Sequence, residues 1–350
     1  MTELNSSIQS IKKYKETLGK KLLILGHYYQ NDELFKLADI TGDSYQLAVA
    51  ASESYAEYIV MCGVLFMAES CRLLIKDNQR AFTPERLAGC PMADMIDENL
   101  YKNAYNNLVK ATGQKPVPLL YVNSTVATKA AVGADNGICC TSSNALIILK
   151  KLLDEGNKVF FLPDKNLSEN SAIKLGLKPE DFALIDRNTT VEQIPKNAKV
   201  YGWKGFCVVH ERISEYDVAI ARRKYPEAKI IVHPECGTEI VKLTDYAGST
   251  KQLLEYFNKL PAGASLVVGT EYQFVERLRR LRSDVRTYHL SDVSTCVNMA
   301  KVTVPKLEKC LEALVRKDEK AMKDFEVILP LEYYANARAT LTRMIAFAEK

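Results

Sequence analysis

The sequence predicts an α/β protein whose parallel sheets are covered by helices, and two observations lead to this fold class. Short apolar segments of strand length alternate with stretches long enough for helices, which is typical of parallel strands buried on both faces. The same series of strand, polar cluster, hydroxyl-bearing turn and strand then occurs three times along the chain. A chain of 350 residues is long enough for two or three domains.

The elements follow from the spacing of apolar residues. Ile8, Ile11 and Leu18 recur at helical spacing and Gly19 follows as a stop signal, so a first helix is predicted to end there. A last helix is predicted over 331–350. Strands are predicted at 22–25, 58–62, 118–122, 159–162, 199–203, 230–232, 265–269 and 285–290.

Composition and charge exclude several classes of protein. Apolar residues make up 47% and charged residues 26%, which excludes a disordered chain or a fibre. A net charge of +4 does not predict a nucleic-acid or membrane-surface binder. The longest uncharged apolar run, 59–68, is far shorter than the ~18 residues that span a bilayer, and residues 1–21 lack the apolar segment of a signal peptide. We therefore expect a cytoplasmic protein that binds neither nucleic acid nor membrane.

The internal repeat begins each time where a strand ends in a polar cluster. These clusters are GHYYQ at 26–30, YVNS at 121–124 and HPEC at 233–236. A hydroxyl-bearing turn follows each, with the sequences GDS at 42–44, CTSSN at 140–144 and AGST at 247–250. The middle unit is longer between its second strand and its late cysteine. The repeat predicts three similar units, with boundaries at 1–112, 113–222 and 223–350.

The repeated features predict where a ligand binds. Ligands of open α/β sheets bind outside the carboxyl ends of the strands, which is where the polar clusters lie. A Ser or Thr that opens a helix is a natural N-cap, and the N–H groups beside it attract anions. Three such units can bring three strand ends, three helix N-termini and three cysteines around one cavity. That arrangement suits small anionic substrates and a metal centre held by thiolates.

Nine cysteines without a CxxC pair argue against a disulfide framework, a zinc ribbon or a thioredoxin-like site. Cys90, Cys207 and Cys296 each fall late in their unit, in a loop. Three thiolates suit a [4Fe–4S] cluster with one open iron, and the alternative is a zinc site with His210 as the fourth ligand. The remaining cysteines are predicted not to be ligands: Cys62, Cys71, Cys139, Cys140, Cys236 and Cys310. Of these, the adjacent pair at 139–140 is either packed and inert or a redox element.

Two of the four histidines, His27 and His233, occupy the same position after a strand in different units. A single histidine there is usually a hydrogen-bonded structural residue. The coincidence of two favours a site.

The ordered sequence blocks resemble the quinolinate synthase family, iron–sulfur enzymes of NAD biosynthesis, over nearly the whole chain. The blocks are GHYYQ, DSYQLA, CGVLFMAES, AGCPMADM, YVNS, CTSSNA, LPD, WKGFCVVH, VHPEC, GST, VGTE and CVNM. The resemblance implies three similar three-layer α/β/α domains around a pseudo-threefold axis. It also implies an oxygen-sensitive [4Fe–4S] cluster on Cys90, Cys207 and Cys296, one from each domain, with one open iron that acts as a Lewis acid.

The activity that the resemblance implies is that of a transferase forming a carbon–carbon bond. Iminosuccinate (iminoaspartate) and dihydroxyacetone phosphate would give quinolinate, phosphate and water without net redox change. A functional partner would supply the iminosuccinate. Two other classes stay open: another open-iron [4Fe–4S] hydro-lyase, and a non-enzymatic iron–sulfur sensor, which would need an output module that is not evident.

The resemblance also assigns site residues. Hydroxyl groups at helix N-termini are expected to receive the substrate carboxylates and phosphate, namely those of Ser44, Ser142, Ser249 and Thr250, with Ser143 as the alternative to Ser142. The site is implied to be lined by two tripeptides, Tyr121-Val122-Asn123 and His233-Pro234-Glu235, and by His27. Proton transfer is expected from Tyr29 and Glu235, supported by His27 and His233.

Overall fold

A computed structural model describes residues 3–348, and three parallel sheets flanked by helices are present in this range. The predicted α/β class with parallel sheets is therefore confirmed. The chain forms two compact units, here called unit 1 (Met1–Cys90 with Cys296–Leu331) and unit 2 (Pro91–Thr295 with Glu332–Lys350). Among the described helices none combines the length and the apolar character needed to cross a bilayer. The predicted three-unit boundaries remain a prediction.

Each sheet is entirely parallel. The first sheet, in unit 1, comprises β1 (Leu22–His27), β2 (Ile40–Gly42), β3 (Tyr58–Cys62) and β4 (Arg80–Phe82). The second sheet, in unit 2, comprises β5 (Val117–Tyr121), β6 (Ile138–Cys140), β7 (Val159–Leu162), β8 (Phe182–Ile185) and β9 (Val200–Trp203). The third sheet, also in unit 2, comprises β10 (Lys229–Val232), β11 (Tyr246–Ala247), β12 (Ser265–Gly269) and β13 (Arg286–His289).

Within each sheet, most connections between successive parallel strands contain a helix, as crossover connections require. In chain order they are α1 (Glu3–Leu18), α2 (Asp32–Leu37), α3 (Ser44–Glu53), α4 (Leu65–Leu74), α5 (Glu98–Thr112), α6 (Val126–Ala134), α7 (Ala145–Asp154), α8 (Lys165–Lys174), α9 (Glu215–Lys224), α10 (Thr238–Leu243), α11 (Thr250–Asn258), α12 (Tyr272–Leu281), α13 (Val304–Arg316), α14 (Glu319–Met322) and α15 (Leu331–Ala348). Within unit 1, α1 packs against α13, so the first helix is held by a segment far along the chain.

The strand order shows the internal repeat directly. The first sheet has the order β2-β1-β3-β4 and the third has β11-β10-β12-β13, so corresponding strands occupy corresponding places. The second sheet has the order β6-β5-β7-β9-β8, which is the same arrangement with β8 added at the edge. Strand β8 lies in the longer stretch of the middle unit, so the insertion noted in the sequence forms an extra edge strand.

All eight predicted strands are present, and the predicted first helix ends at Leu18. The last helix begins at Leu331 as predicted, although residues 349–350 of that prediction lie outside the described range. Five short strands were not among the predicted ones in the described part of the chain: β2, β4, β6, β8 and β11. With two to four residues each, they offer too short an apolar pattern to recognise.

Candidate active site

Within unit 2, the carboxyl ends of the second and third sheets are joined by side-chain hydrogen bonds. Nε2 of His233, after β10, lies 3.2 Å from Oγ of Ser142, which follows β6. Oγ of Ser143 lies 2.9 Å from Oγ of Ser249, the N-cap of α11. Both serines that the sequence left open therefore contact residues of the third sheet. The structure thus brings the hydroxyl-bearing turn at 140–144 together with the polar cluster at 233–236 and the hydroxyl-bearing turn at 247–250.

The two repeated histidines make the same local contact. Nδ1 of His27 accepts the backbone N–H of Tyr29 at 3.1 Å, and Nδ1 of His233 accepts the backbone N–H of Glu235 at 3.3 Å. A neutral imidazole whose Nδ1 accepts a hydrogen bond carries its proton on Nε2. Each ring is therefore held by the backbone of its own polar cluster, and Nε2 of His233 faces the hydroxyl of Ser142.

Glu235 is buried against two histidines. Its Oε2 lies 2.8 Å from Nδ1 of His210 and 3.3 Å from Nδ1 of His233, and the two imidazole rings stack with centroids 4.6 Å apart. Burial by itself would raise the pKa of Glu235, but the adjacent imidazoles outweigh it and hold that pKa well below the ordinary value. Burial lowers the pKa of His210, whose Nε2 lies 3.0 Å from the Thr270 hydroxyl. Glu235 is therefore a carboxylate at neutral pH.

The backbone that carries Glu235 is held by two asparagines one helical turn apart on α8. Nδ2 of Asn166 donates to the carbonyl of Glu235 at 2.9 Å. Nδ2 of Asn170 donates to the carbonyls of Pro234 and Cys236, each at 2.9 Å. The HPE tripeptide is thus clamped from the second sheet's side, which limits the positions its side chains can take.

The loop that carries Cys207 is anchored on the loop after β7. The Gly205 amide donates to the carbonyl of Pro163 at 3.0 Å, and a Cβ added at Gly205 would lie 2.5 Å from that carbonyl oxygen, so only glycine fits. The carboxyl group of Asp164 caps α8 through the amide of Leu167 at 2.6 Å and also accepts the amide of Cys207. Burial, and then the charge of Glu235, raise the pKa of Asp164 well above its usual value.

The side chains of Cys207, His210 and Glu235 can hold a metal ion, because one donor atom from each lies within 4.8 Å of the others. His210, however, already contacts Glu235 through Nδ1 and Thr270 through Nε2. The Nε2 atom of His210 is thus within hydrogen-bond distance of a protein hydroxyl, whereas its Nδ1 is close to Glu235 but makes no hydrogen bond to the described residues.

The nine cysteines fall into two groups by exposure. Six are buried, and burial raises the pKa of Cys62 and of Cys71 to about 12. Cys90, Cys207 and Cys296 are partly exposed. Each of these three is followed by a short 3₁₀ turn, at Pro91–Met95, His210–Arg212 and Met299–Lys301. A thiolate forms more readily where water or a ligand can reach it, so partial exposure favours thiolate formation at these three positions over the six buried ones.

Unit 1 carries the predicted residues His27, Tyr29 and Ser44. The ring of Tyr29 meets His27 edge to face with centroids 4.8 Å apart. Ser44 is the first residue of α3 but not its cap, because Oδ1 of Asp43 accepts the Gln46 amide and completes a capping box. In the third sheet the equivalent cap is Ser249, and Thr250 follows it as the first helical residue. Ser44 and Thr250 are thus each the first helical residue, and the side chain one residue earlier, Asp43 or Ser249, caps the helix.

Four buried polar residues around this site were not predicted from the sequence. Asp164 stands in the LPD block, and Asn166 and Asn170 lie four residues apart on one face of α8. The neighbouring sequence contains no pattern that predicts their contacts with loops distant in the chain. Lys129 was also not predicted to have a role. A single charged residue within the apolar helix VATKAAVGA was a signal that could have been used.

Comparison with known proteins agrees with the resemblance seen in the sequence. A model of the NadA family, described as quinolinate synthetase A protein, matches residues 9–346. The quinolinate synthase of Geobacillus sp. (strain WCH70) is 40% identical over 99% of this chain and 94% of its own. That of Bacillus subtilis (strain 168) is 38% identical over 98% of this chain and 93% of its own. Because both the family and these relatives match almost the full length, the chain belongs to the NadA (quinolinate synthetase A) family and is a quinolinate synthase, an enzyme of NAD biosynthesis.

Proposed function

We propose that the enzyme condenses iminosuccinate with dihydroxyacetone phosphate, releasing quinolinate, phosphate and two molecules of water. The observation that carries this proposal is the buried Glu235 carboxylate between His210 and His233, at an edge rich in hydroxyl groups. Carbon–carbon bond formation, phosphate loss, isomerisation and dehydration all require proton transfer at fixed positions. The two substrates carry two carboxylates and a phosphate, which suit helix N-termini and hydroxyl donors.

We propose Glu235 as the base. Its Oε2 lies close to Nδ1 of both histidines, whereas its Oε1 is buried and has no hydrogen-bond partner among residues 3–348. The adjacent imidazoles keep Glu235 ionised at neutral pH, so Oε1 is the proposed atom that takes a proton from a substrate held beside it. Tyr29 is the proposed acid, because its phenol is half-buried beside His27.

The proposed anion contacts follow from the hydrogen-bond directions. Because Nδ1 of His27 and of His233 accepts a backbone amide, Nε2 is the proposed donor to a substrate carboxylate, which in His233 would replace or share the contact with Ser142. Further donors proposed for the carboxylates and phosphate are the hydroxyl groups of Ser44, Ser142, Ser249 and Thr250 and the amide groups of Tyr121-Val122-Asn123. Pro234, between His233 and Glu235 in the sequence, restricts the backbone that carries both side chains.

The proposed cofactor is a [4Fe–4S] cluster held by Cys90, Cys207 and Cys296, with one iron lacking a protein ligand. The partial exposure of these three thiols, against six buried ones, supports the assignment. When bound, such a cluster supplies a Lewis acid that polarises carboxylate, imine or hydroxyl groups. We also propose a reducing compartment, the cytoplasm, and an iminosuccinate-producing enzyme as functional partner.

The test is anaerobic incubation of the iron- and sulfide-loaded protein with both substrates, with detection of pyridine-2,3-dicarboxylate by absorbance and mass. We expect the product to appear together with stoichiometric phosphate. Protein that carries a full complement of iron and sulfide but forms no pyridine dicarboxylate would overturn the proposal.

A further inference from the structure

Lys129 of α6 has a fully buried side chain, with 0% of its surface exposed. Its Nζ donates to the carbonyl of Val122 at 2.8 Å, to the carbonyl of Ser124 at 2.6 Å and to the hydroxyl of Ser124 at 3.2 Å. An ammonium group has three donors and no acceptor, and here all three donors are used. Burying a charge costs free energy unless the group is well hydrogen-bonded. A fully buried lysine with three hydrogen bonds therefore indicates a specific structural or functional role.

The acceptors of this ammonium lie on either side of Asn123. The carbonyl of Val122 accepts both the Lys129 ammonium and the amide of Ser124, the latter at 2.8 Å, which forms a tight turn around Asn123. The amide of Val122 in turn donates to the carbonyl of Cys140 at 2.8 Å. The peptide groups before and after Asn123 are therefore fixed by a single buried cation and one strand contact.

Asn123 itself is half-buried, and its side-chain amide makes no hydrogen bond to any residue in the described part of the chain. The turn follows β5 at the carboxyl edge of the second sheet, beside β6, whose end leads into Ser142. The backbone of the turn is fixed by hydrogen bonds, while the side-chain amide of Asn123 has no protein partner within residues 3–348. Such an amide is a preorganised donor, because the conformational entropy of the turn is lost on folding and not on ligand binding.

We propose that Lys129 is a positioning residue: its buried ammonium holds the turn 122–124 so that Asn123 can bind a carboxylate of the substrate. This inference rests on the proposed function, since it takes the dicarboxylate substrate from there. Lys129 touches no reacting atom and acts through Asn123. Its positive charge also lies one helical turn inside the N-terminus of α6, so it adds to the attraction of that edge for anions.

The test is a double-mutant cycle with Lys129→Met, Asn123→Ala and the double variant, using anaerobic calorimetry of quinolinate binding and steady-state kinetics. Asn123→Ala should weaken quinolinate binding about tenfold, the loss of one hydrogen bond to a charged group. Lys129→Met should weaken it by a similar factor and raise KM while kcat changes less. In the double variant the losses should not add, because one residue acts through the other.

Thr128→Val is the matched control. Thr128 is equally buried on the same helix and donates to the carbonyl of Ile96 at 3.1 Å, away from the turn. This variant should lower the melting temperature but leave quinolinate binding unchanged. If Lys129→Met does not fold, Ser124→Ala replaces it: it removes one of the three acceptors, and its smaller loss of affinity should vanish in the Asn123→Ala background.

Two results would overturn the inference. Losses that add in the double variant of an active enzyme would show that Lys129 acts independently of Asn123, and would leave the proposed function standing. Unchanged affinity in both Lys129→Met and Ser124→Ala would do the same. A wild-type protein that neither binds quinolinate nor forms it would instead overturn the proposed function, and this inference with it.

Discussion

His210 and Glu235 form a buried contact, with Nδ1 of the histidine 2.8 Å from Oε2 of the carboxylate and both side chains at most 4% exposed. Such a contact is costly to build, since two titratable groups lose their water. It leaves Oε1 of Glu235 as the buried atom without a partner in the described chain. The contact thus turns Oε2 toward His210, and Oε1 is the oxygen that we propose accepts a proton.

Glu235→Gln should abolish most turnover while iron and sulfide content stay normal. Glutamine keeps the shape of the side chain but cannot take a proton, and a general base contributes roughly 10²–10⁴-fold to the rate. Quinolinate formation and metal content are measured on the same anaerobic preparation. Glu239→Gln, whose side chain is 65% exposed, is the control. Turnover near the wild-type rate would remove Glu235 from the mechanism.

Tyr29→Phe should lower kcat by a similar factor of roughly 10²–10⁴, because the phenol is the proposed acid. The ring contact with His27 does not need the hydroxyl, so the fold and the His27 orientation should persist. Tyr55→Phe removes a phenol from an 89% exposed side chain and serves as the control. A Tyr29→Phe enzyme whose kcat equals that of the control would show that the proton comes from elsewhere.

The strands that could be predicted from the sequence are those with long apolar runs. The candidate site residues that could be predicted are those that occur at equivalent positions of the internal repeat. Strands β1, β3 and β5 are continuous apolar segments, so their burial is visible without a structure. His27 and His233 were found because both follow such strands. Asp164 and Lys129 were missed because their roles depend on partners brought close by the topology, such as the amide of Cys207.

The residue that caps a helix could also not be chosen from the sequence pattern alone. The turns GDS and AGST were recognised, but the residue that caps each helix depends on which side chain reaches back to an amide. Asp43 and Ser249 do so through Gln46 and Gln252. That choice is settled by backbone geometry over three residues, which a pattern of hydroxyl groups does not encode.

Thr250→Ala should raise the KM for dihydroxyacetone phosphate more than that for iminosuccinate, with little change in melting temperature. Thr250 is the first residue of α11 and does not cap it, so its hydroxyl is separable from helix stability. Loss of a hydrogen bond to a charged phosphate costs about 1.5–3 kcal/mol. Ser249→Ala should additionally lose the cap, at about 1 kcal/mol of unfolding free energy. Ser214→Ala, the cap of α9, controls for capping alone.

The outcome that contradicts the phosphate assignment is an equal rise in both KM values for Thr250→Ala. Unchanged values for both substrates would place the phosphate at another helix N-terminus. Ser214→Ala should lower the melting temperature without altering either KM.

Asp245→Asn should destabilise the enzyme by about 1 to 2 kcal/mol at neutral pH, a value reduced by partial exposure of the carboxylate. Oδ2 accepts the Ile230 amide at 2.8 Å and contacts Arg222 at 2.8 Å, while Oδ1 lies 3.1 Å from Lys229. Burial would raise the pKa of Asp245, but these partners lower it below 3.8. Its contribution to stability is therefore present above about pH 4 and lost as the pH falls through the lowered value.

Thermal melts of Asp245→Asn and wild type between pH 7 and pH 3 measure this difference. The gap in melting temperature should be constant from pH 7 to about pH 5 and should close below that. Asp284→Asn, which removes an exposed partner of Arg282, should give a gap near zero throughout. A gap for Asp245→Asn that widens toward acid pH would contradict the assignment.

Cys90, Cys207 and Cys296 should be the three ligands of the cluster, so replacing any one with Ser should abolish or cripple it, because thiolate is the required soft ligand. Cys236→Ala, next to Glu235 but fully buried, and Cys62→Ala should retain normal iron and sulfide. With three ligands, one iron keeps an open position, which dehydration chemistry needs and an electron carrier does not. Anaerobic Mössbauer spectra with substrate should therefore show one iron distinct from three, whereas four equivalent irons, or iron lost from Cys236→Ala, would require a different ligand set.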